Sequence, residues 1–260
     1  MNISTKIVPS PKFSDKALND MFDYRLGRLR KSMLEQNISL SILVNPVSLR
    51  YAIDFDEYQL FQSHIPTCYL FVPAHGPLVM HGATRHTFPN VFEYRRPHFI
   101  TPFDSGFDLS NSVKLLSNDV DNFVREYGHN KNIAIERVSS LISNSLQTLG
   151  YQISDAECLV EKAKVIKCDT EIKCIKHSID VAEYGLKLMQ ENTFAGLTER
   201  QVWSILHQVN IANNGSWIEG HMLSSGPRTN PWLQEASERV IETGDMVSMD
   251  TDMIGPRGYM

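Results

Sequence analysis

The stretch GHMLSSGPRTNPWLQEASERVIETGDMVSMDTDMIGPRGYM, residues 220–260, carries the residues on which the reading of this chain turns. Within it, Glu242-Thr-Gly-Asp245 has the composition of a turn, and MVSM at 246–249 is a short strand that delivers Asp250-Thr-Asp252 at its end. Side chains alternate along an extended backbone, so Asp250 and Asp252 fall on the same side. Two carboxylates so placed repel each other unless a proton or a cation lies between them. A divalent metal relieves that repulsion, since hard cations and zinc alike accept carboxylate oxygens. The same two-residue spacing also suits a pair of acidic turn residues facing water ahead of Gly255-Pro256.

Upstream of this stretch the pattern is helical. Ile172, Ile175, Ile179, Ala182, Leu186 and Met189 recur at intervals of three and four, which predicts one apolar stripe on a long helix running from Asp169. Thr198 stands three residues before Gln201, the capping-box spacing, ahead of Val202, Leu206 and Val209 on a second helix. Two helices followed by residues 217–225 predict the start of an α+β domain. The charged segment EKAKVIK at 161–167 marks a junction.

Before the junction, strand and helix patterns alternate. A helix is expected over 23–36, a buried strand in LSILVNP at 40–46, and a hairpin from CYLFV at 68–72 and PLVM at 77–80 around Ala74-His75-Gly76. Helices at 113–127 and 141–149 and strands at 132–136 and 151–153 complete an α/β pattern. His81 and His86 fall in a polar, aromatic stretch, and loop or surface positions are expected for them rather than metal ligation. Arg95 and Arg96 precede Pro97 and are expected at a solvated corner rather than in an anion clamp. The expected organisation is an N-terminal arm over 1–20, an α/β domain over 21–165 and part of an α+β domain over 166–260.

The net charge of −5, from 25 basic and 30 acidic side chains, leaves no globally basic footprint for nucleic acid. The start, MNISTKIVPSPKFSDKALND, has no apolar core of the kind that directs export, and no run approaches the roughly 20 apolar residues that span a bilayer. Cys68, Cys158, Cys168 and Cys174 contain no CxxC pair. Reduced thiols and a cytoplasmic location are the expectation.

Residues 221–259 resemble the creatinase and aminopeptidase P superfamily, whose metal-binding fold is called pita-bread. SSGPRTNPW, a Gly-Asp turn and DTD-x-IGP-x-GY look most like the branch of metal-dependent dimethylsulfoniopropionate lyases. The resemblance implies a creatinase-like N-terminal α/β domain, a homodimer, and a site for two divalent ions, iron, manganese, zinc or cobalt. Asp252 matches the family's first metal-bridging aspartate and Asp250 the extra aspartate of the lyase-like branch. Gly258 and Tyr259 match the pair that introduces the next strand.

The family's further aspartate, its histidine and its two glutamates would follow Met260, so the chain reads as a C-terminally shortened, inactive member with no general base assigned. Trp232 stands where many aminopeptidase P-like sequences have a substrate-side histidine, which leans the reading towards lyase chemistry. His221 either faces the cleft or packs beneath it, and Arg228 either meets a substrate carboxylate or lies on the surface. The first expectation is therefore a lyase releasing dimethyl sulfide and acrylate, acting on a small molecule without nucleic-acid or membrane partners. An Xaa-Pro aminopeptidase or dipeptidase acting on short peptides is the alternative. A binding or dimerisation module without catalysis is the third reading.

Overall fold

The computed structural model describes residues 5–82, 87–98, 101–137 and 139–260. It forms two compact units: Ser14–Cys168, and Asp169–Met260 joined by residues from the segment Met1–Phe13.

In the first unit the elements run α1 (Asp15–Glu35), β1 (Leu40–Leu43), α2 (Pro46–Ile53), α3 (Gln59–His64), β2 (Tyr69–Pro73), β3 (Leu78–His81) and β4 (Val91–Arg95). They continue with α4 (Pro102–Ser105), α5 (Ser110–Tyr127), β5 (Asn132–Ile135), α6 (Ser140–Thr148), β6 (Gln152–Asp155) and α7 (Glu157–Lys164). The strands form one mixed sheet in the order β4-β3-β2-β1-β5-β6. Strand β1 is antiparallel to β2, with Leu43 opposite Leu70, and parallel to β5, with Leu40 opposite Ile133. Both faces of the sheet are covered. Leu43, Leu70 and Met80 pack with Leu29, Met33 and Leu159 of α1 and α7 on one side. Leu40, Ile42 and Phe71 pack with Val120, Phe123 and Leu146 of α5 and α6 on the other. Burial on two faces explains why β1 and β2 are buried along their whole length without alternation, Ser41 being the polar exception in β1.

The predicted hairpin forms, Tyr69 pairing with His81 and Phe71 with Val79. Other expectations change. The arm over 1–20 is too long, because the Ser14 hydroxyl accepts the Ala17 amide at 3.2 Å and starts α1 at Asp15. The charged junction is mostly helix: α7 buries Leu159, Val160 and Ala163 and leaves its lysines outside. Within the polar, aromatic stretch, Val91–Arg95 pairs as a parallel edge strand with β3, and the Arg95 guanidinium meets Glu93 at 2.7 Å. His81 is no loop residue, for its ring is fully buried on β3 and stacked 4.6 Å from Tyr69. His86 lies outside the described residues.

The second unit holds α8 (Asp169–Asn192), α9 (Glu199–Ala212), β7 (Leu223–Ser225) and β8 (Val247–Met249). The capping box at α9 is complete: Thr198 Oγ1 accepts the Gln201 amide at 3.2 Å, and Gln201 Oε1 accepts the Thr198 amide at 2.8 Å. Helix α8 packs on α9 through a different face from the one its isoleucines predict. Glu171, Cys174, Ser178, Val181, Gly185 and Met189 are buried, while Ile172, Ile179 and Leu186 are exposed. Close approach is the reason, since a Cβ on Gly185 would come within 2.6 Å of Leu206 Cδ1. Residues of the N-terminal segment belong here too: the Val8 amide donates to Asn213 Oδ1 at 2.7 Å. Among the described residues no helix is long and apolar enough to cross a membrane.

Candidate functional site

Strands β7 and β8 pair antiparallel, Leu223 opposite Met249 and Ser225 opposite Val247. The ladder carries Asp250 and Asp252 to the end of β8. The Asp250 amide donates to the Met222 carbonyl at 3.0 Å, and Asp252 Oδ1 accepts the Gly220 amide at 3.0 Å. Asp250 is exposed and Asp252 half-buried. Both therefore sit on a fixed backbone with carboxylate oxygens still free to meet a cation. Oxygen donors of this kind suit a divalent ion, but two side chains are too few for the coordination of a dinuclear site. Among the described residues no cluster of three His, Cys, Asp or Glu side chains is placed to hold a metal.

Behind the strands lies a buried polar centre that the sequence did not announce. Glu199, the first residue of α9, is fully buried. One carboxylate oxygen accepts the Ser225 amide at 2.7 Å and the Ser225 hydroxyl at 2.8 Å. The other accepts the Ser237 amide at 2.9 Å and hydroxyl at 2.7 Å, and pairs with the Arg228 guanidinium. Burial alone would push the Glu199 carboxyl up, but the Ser237 and Ser225 hydrogen bonds outweigh it and hold its pKa at about 2. A second pair stands beside it: Arg239 donates to Asp245 Oδ2 at 2.6 Å and to the Ser225 hydroxyl at 2.7 Å. The Arg239 hydrogen bond holds the Asp245 carboxyl below the usual carboxylate range.

This centre explains the small residues of SSGPR. Gly226 takes a φ of +51°, and a Cβ there would collide with Asp245 Oδ1. Arg228 also donates to the Glu235 carbonyl at 2.8 Å, so its guanidinium is engaged within the protein. Trp232 is 44% exposed. Tyr259 donates its hydroxyl to the buried Glu171 at 3.0 Å and thereby ties the GPRGY segment to α8.

His221 takes a different place from the aspartates. Its half-exposed ring lies 6.0 Å from Trp203 and 5.9 Å from His207, both on α9. With Arg200, Ser204, Glu235 and Ala236 these three rings line a cleft of about 390 Å³, whose walls include neither Asp250 nor Asp252. Burial and the neighbouring His221 lower the pKa of His207. The spacing Trp203-x3-His207, one helical turn, was the available signal for this cleft.

Comparison with known proteins follows the same division. Residues 173–260, which include the aspartates and the cleft, match the model of "Metallopeptidase family M24". At superfamily level the chain thus has an M24 metallopeptidase-like fold. Over 252 residues it is 32% identical to "Dimethylsulfoniopropionate lyase DddP" of Roseovarius nubinhibens, covering 93% of this chain and 56% of that protein. The Roseobacter denitrificans protein of the same name is 30% identical over 246 residues, 90% of this chain and 55% of that one. The chain thus spans about half the length of the curated relatives it matches. Among solved structures, an Xaa-Pro dipeptidase from Bacillus anthracis superposes with a TM-score of 0.68 at 20% identity, over 90% of this chain and 61% of the other. That likeness establishes the M24-like, pita-bread family of folds for the mixed α/β architecture described above.

Proposed function

We propose that Asp250 and Asp252 are the first carboxylate ligands of an M24-type divalent-metal centre, and that the reaction class of that centre is hydrolysis of short X-Pro peptides. The carrying observation is the pair itself, held at the end of β8 by the Met222 carbonyl and the Gly220 amide inside the segment that matches the M24 model. Divalent ions bound there would supply Lewis acidity and lower the pKa of coordinated water. The part played by this chain is structural and electrostatic. The β7–β8 ladder fixes the two carboxylates, and the Gly220 amide orients one oxygen of Asp252 and leaves the other for a cation.

The sequence reading placed a dimethylsulfoniopropionate lyase first. The M24 match and the M24-like fold support the hydrolase at the level of the superfamily. The lyase stands as the second reading on a specific observation, the 32% and 30% identity to two lyases over at least 90% of this chain. Trp232 in place of a substrate-side histidine also favours it. In either reading the homodimer is part of the proposal, and so is turnover that needs more ligands than residues 1–260 provide.

The test uses the purified chain with manganese, iron, cobalt or zinc. Equilibrium dialysis is expected to show weak, saturable metal binding that falls in Asp250→Ala and Asp252→Ala, with release of neither proline from an X-Pro dipeptide nor dimethyl sulfide. Metal-dependent proline release lost in Asp252→Ala would support the hydrolase and overturn the claim of inactivity. Dimethyl sulfide release lost in that variant would move the assignment to the lyase. Metal binding indifferent to both aspartates would overturn the proposal.

A further inference from the structure

The cleft between α9 and the segment leading into β7 contains a combination of groups that the aspartate pair does not use. Arg200, Trp203, Ser204 and His207 recur at intervals of three, one and three on α9, so they share one face of the helix. His221 meets that face from the neighbouring segment, its ring centre 5.9 Å from that of His207. Two imidazoles bound to one zinc ion through nitrogen bonds of about 2.0–2.1 Å have ring centres roughly 5–6 Å apart. The spacing observed lies within that range. Glu235 Oε2 is 4.0 Å from His221 Nδ1, and the Glu235 side chain is 67% exposed, so a small rotation brings its carboxylate towards the same point.

We propose that His207 and His221 form a second divalent-metal site, selective for zinc-like transition ions, with the Glu235 carboxylate rotating in as third ligand. The site is separate from Asp250 and Asp252 in its residues and in its chemistry. Imidazole donors favour zinc, cobalt, nickel and copper, whereas a pair of carboxylates accepts harder ions such as manganese. Among the described residues no three ligand side chains already converge, so the proposed site requires rotation of Glu235 to complete it. Trp203 is 4% exposed and floors the cleft beside the two imidazoles, giving them an apolar wall that limits water access from α9. The two sites are mechanically connected, because His221 directly follows Gly220, whose amide holds Asp252.

The probe is zinc itself, measured by competition against a chromophoric chelator, with cobalt absorption as a second readout. In the Asp250→Ala/Asp252→Ala double variant, one zinc is expected to remain bound. His207→Ala and His221→Ala, each made in that background, should weaken it roughly tenfold or more, and Glu235→Gln by less, since a carboxylate that must rotate contributes less than a ligand already in place. Diethyl pyrocarbonate modification mapped by mass spectrometry covers the case of a variant that does not fold. Zinc should protect His207 and His221 in the unaltered chain, while His64 and His75 stay reactive. Loss of all zinc binding in the aspartate double variant would overturn the proposal. So would affinity unchanged by both histidine substitutions, or modification of His207 and His221 unaffected by zinc.

Discussion

Both compact units bury ionisable side chains, and His81 and Glu199 show two opposite means of doing so. In the Ser14–Cys168 unit, His81 lies fully inside, its ring stacked on Tyr69 and 4.3 Å from the ring of Phe71. Burial lowers its pKa to about 3, aided by the Arg95 and His98 charges, so it is carried as a neutral aromatic. In the Asp169–Met260 unit, Glu199 is equally inaccessible but keeps its charge, because two serine hydroxyls, two amides and Arg228 surround it. A neutral ring fills space in a sheet already closed on both faces. A charge with every lone pair engaged ties three segments together: β7, the 226–229 turn and residues 235–239. Those segments border both the aspartate pair and the imidazole cleft, so the satisfied charge holds the backbone around both candidate sites.

The strongest way to break this comparison is to remove the charge. In Glu199→Gln, Arg228 loses its carboxylate partner, and the amide cannot accept all the hydrogen bonds that both carboxylate oxygens take. Disrupting a buried ion pair by altering one partner costs about 3–5 kcal/mol, and the partial exposure of Arg228 places the expected loss near about 3 kcal/mol. Trp203, Trp217 and Trp232 are the three tryptophans of the chain and all lie in this unit, so indole fluorescence in a urea titration reports it selectively. Hydrogen exchange in the six-stranded sheet should stay unchanged. A fluorescence midpoint displaced by less than about 0.5 kcal/mol, the usual scale of a surface substitution, would show that Glu199 does not hold these segments.

Acid sharpens the comparison, because the two groups titrate in different windows. His81 has a folded pKa below its ordinary value of 6.5, so the unfolded chain binds a proton that the folded chain refuses. Its share of stability is complete above pH 6.5 and is lost as the pH falls towards about 3. At about 1.4 kcal/mol per pH unit, roughly 2–3 kcal/mol is lost between pH ~6.5 and ~4.5. Glu199 contributes fully above 4.5 and loses its contribution as the pH falls towards about 2. The six-stranded unit is therefore expected to weaken first on acidification. Two groups moderate the contrast. Glu136, whose carboxyl is raised by burial, gains relative stability in acid within the same unit, and the lowered His207 gives the second unit a smaller early loss. Urea unfolding read peptide by peptide through proteolysis and mass spectrometry, at several pH values, distinguishes the units. His81→Phe should flatten the early loss in the first unit; an unchanged pH slope in that variant would remove His81 as its source.

Much of this fold was legible in the sequence because it depends on local pattern. The β2–β3 hairpin, the strands at β1 and β5 and the capping box at Thr198 follow from neighbours a few residues apart. What failed to show depends on contacts between distant segments. Ile172, Ile179 and Leu186 of α8 pointed outward because close approach selects small side chains, Gly185 against α9 and Ser178 against the turn at Gly255, and hydrophobic periodicity scores the large ones. Glu199 looked like any acid in the first turn of a helix, since its partners lie 26 to 38 residues away. His81 was read as polar because nothing near it in sequence announces that Tyr69 and Phe71 enclose it. At the candidate site, the aspartate pair was visible as a spacing. The imidazole cleft was not, because it needs a helix face and a strand approach to meet.

The smallest expected effect tests whether the polar centre depends on how α9 begins. Thr198 caps the helix immediately before Glu199, and its reciprocal bonds with Gln201 fix the backbone from which the Glu199 side chain departs. Removing an N-cap hydroxyl costs about 1 kcal/mol, so Thr198→Ala should lower the fluorescence-monitored stability of the second unit by about that amount. Thr198→Ser, which keeps the hydroxyl, should restore most of it. The comparison with Glu199→Gln supplies the sharper reading. If the cap merely stabilises a helix, the two substitutions act independently and their costs add in the double variant, as they do for separate sites. The shared first turn argues otherwise. Once the cap is gone, that turn frays, Glu199 loses its fixed departure point, and part of the carboxylate's contribution is already spent. The double variant is therefore expected to cost less than the sum of the singles, by roughly 0.5 kcal/mol or more. Strict additivity would mean that the serines and Arg228 hold Glu199 whatever the state of the helix start, and that the polar centre, rather than the capping box, sets the position of α9.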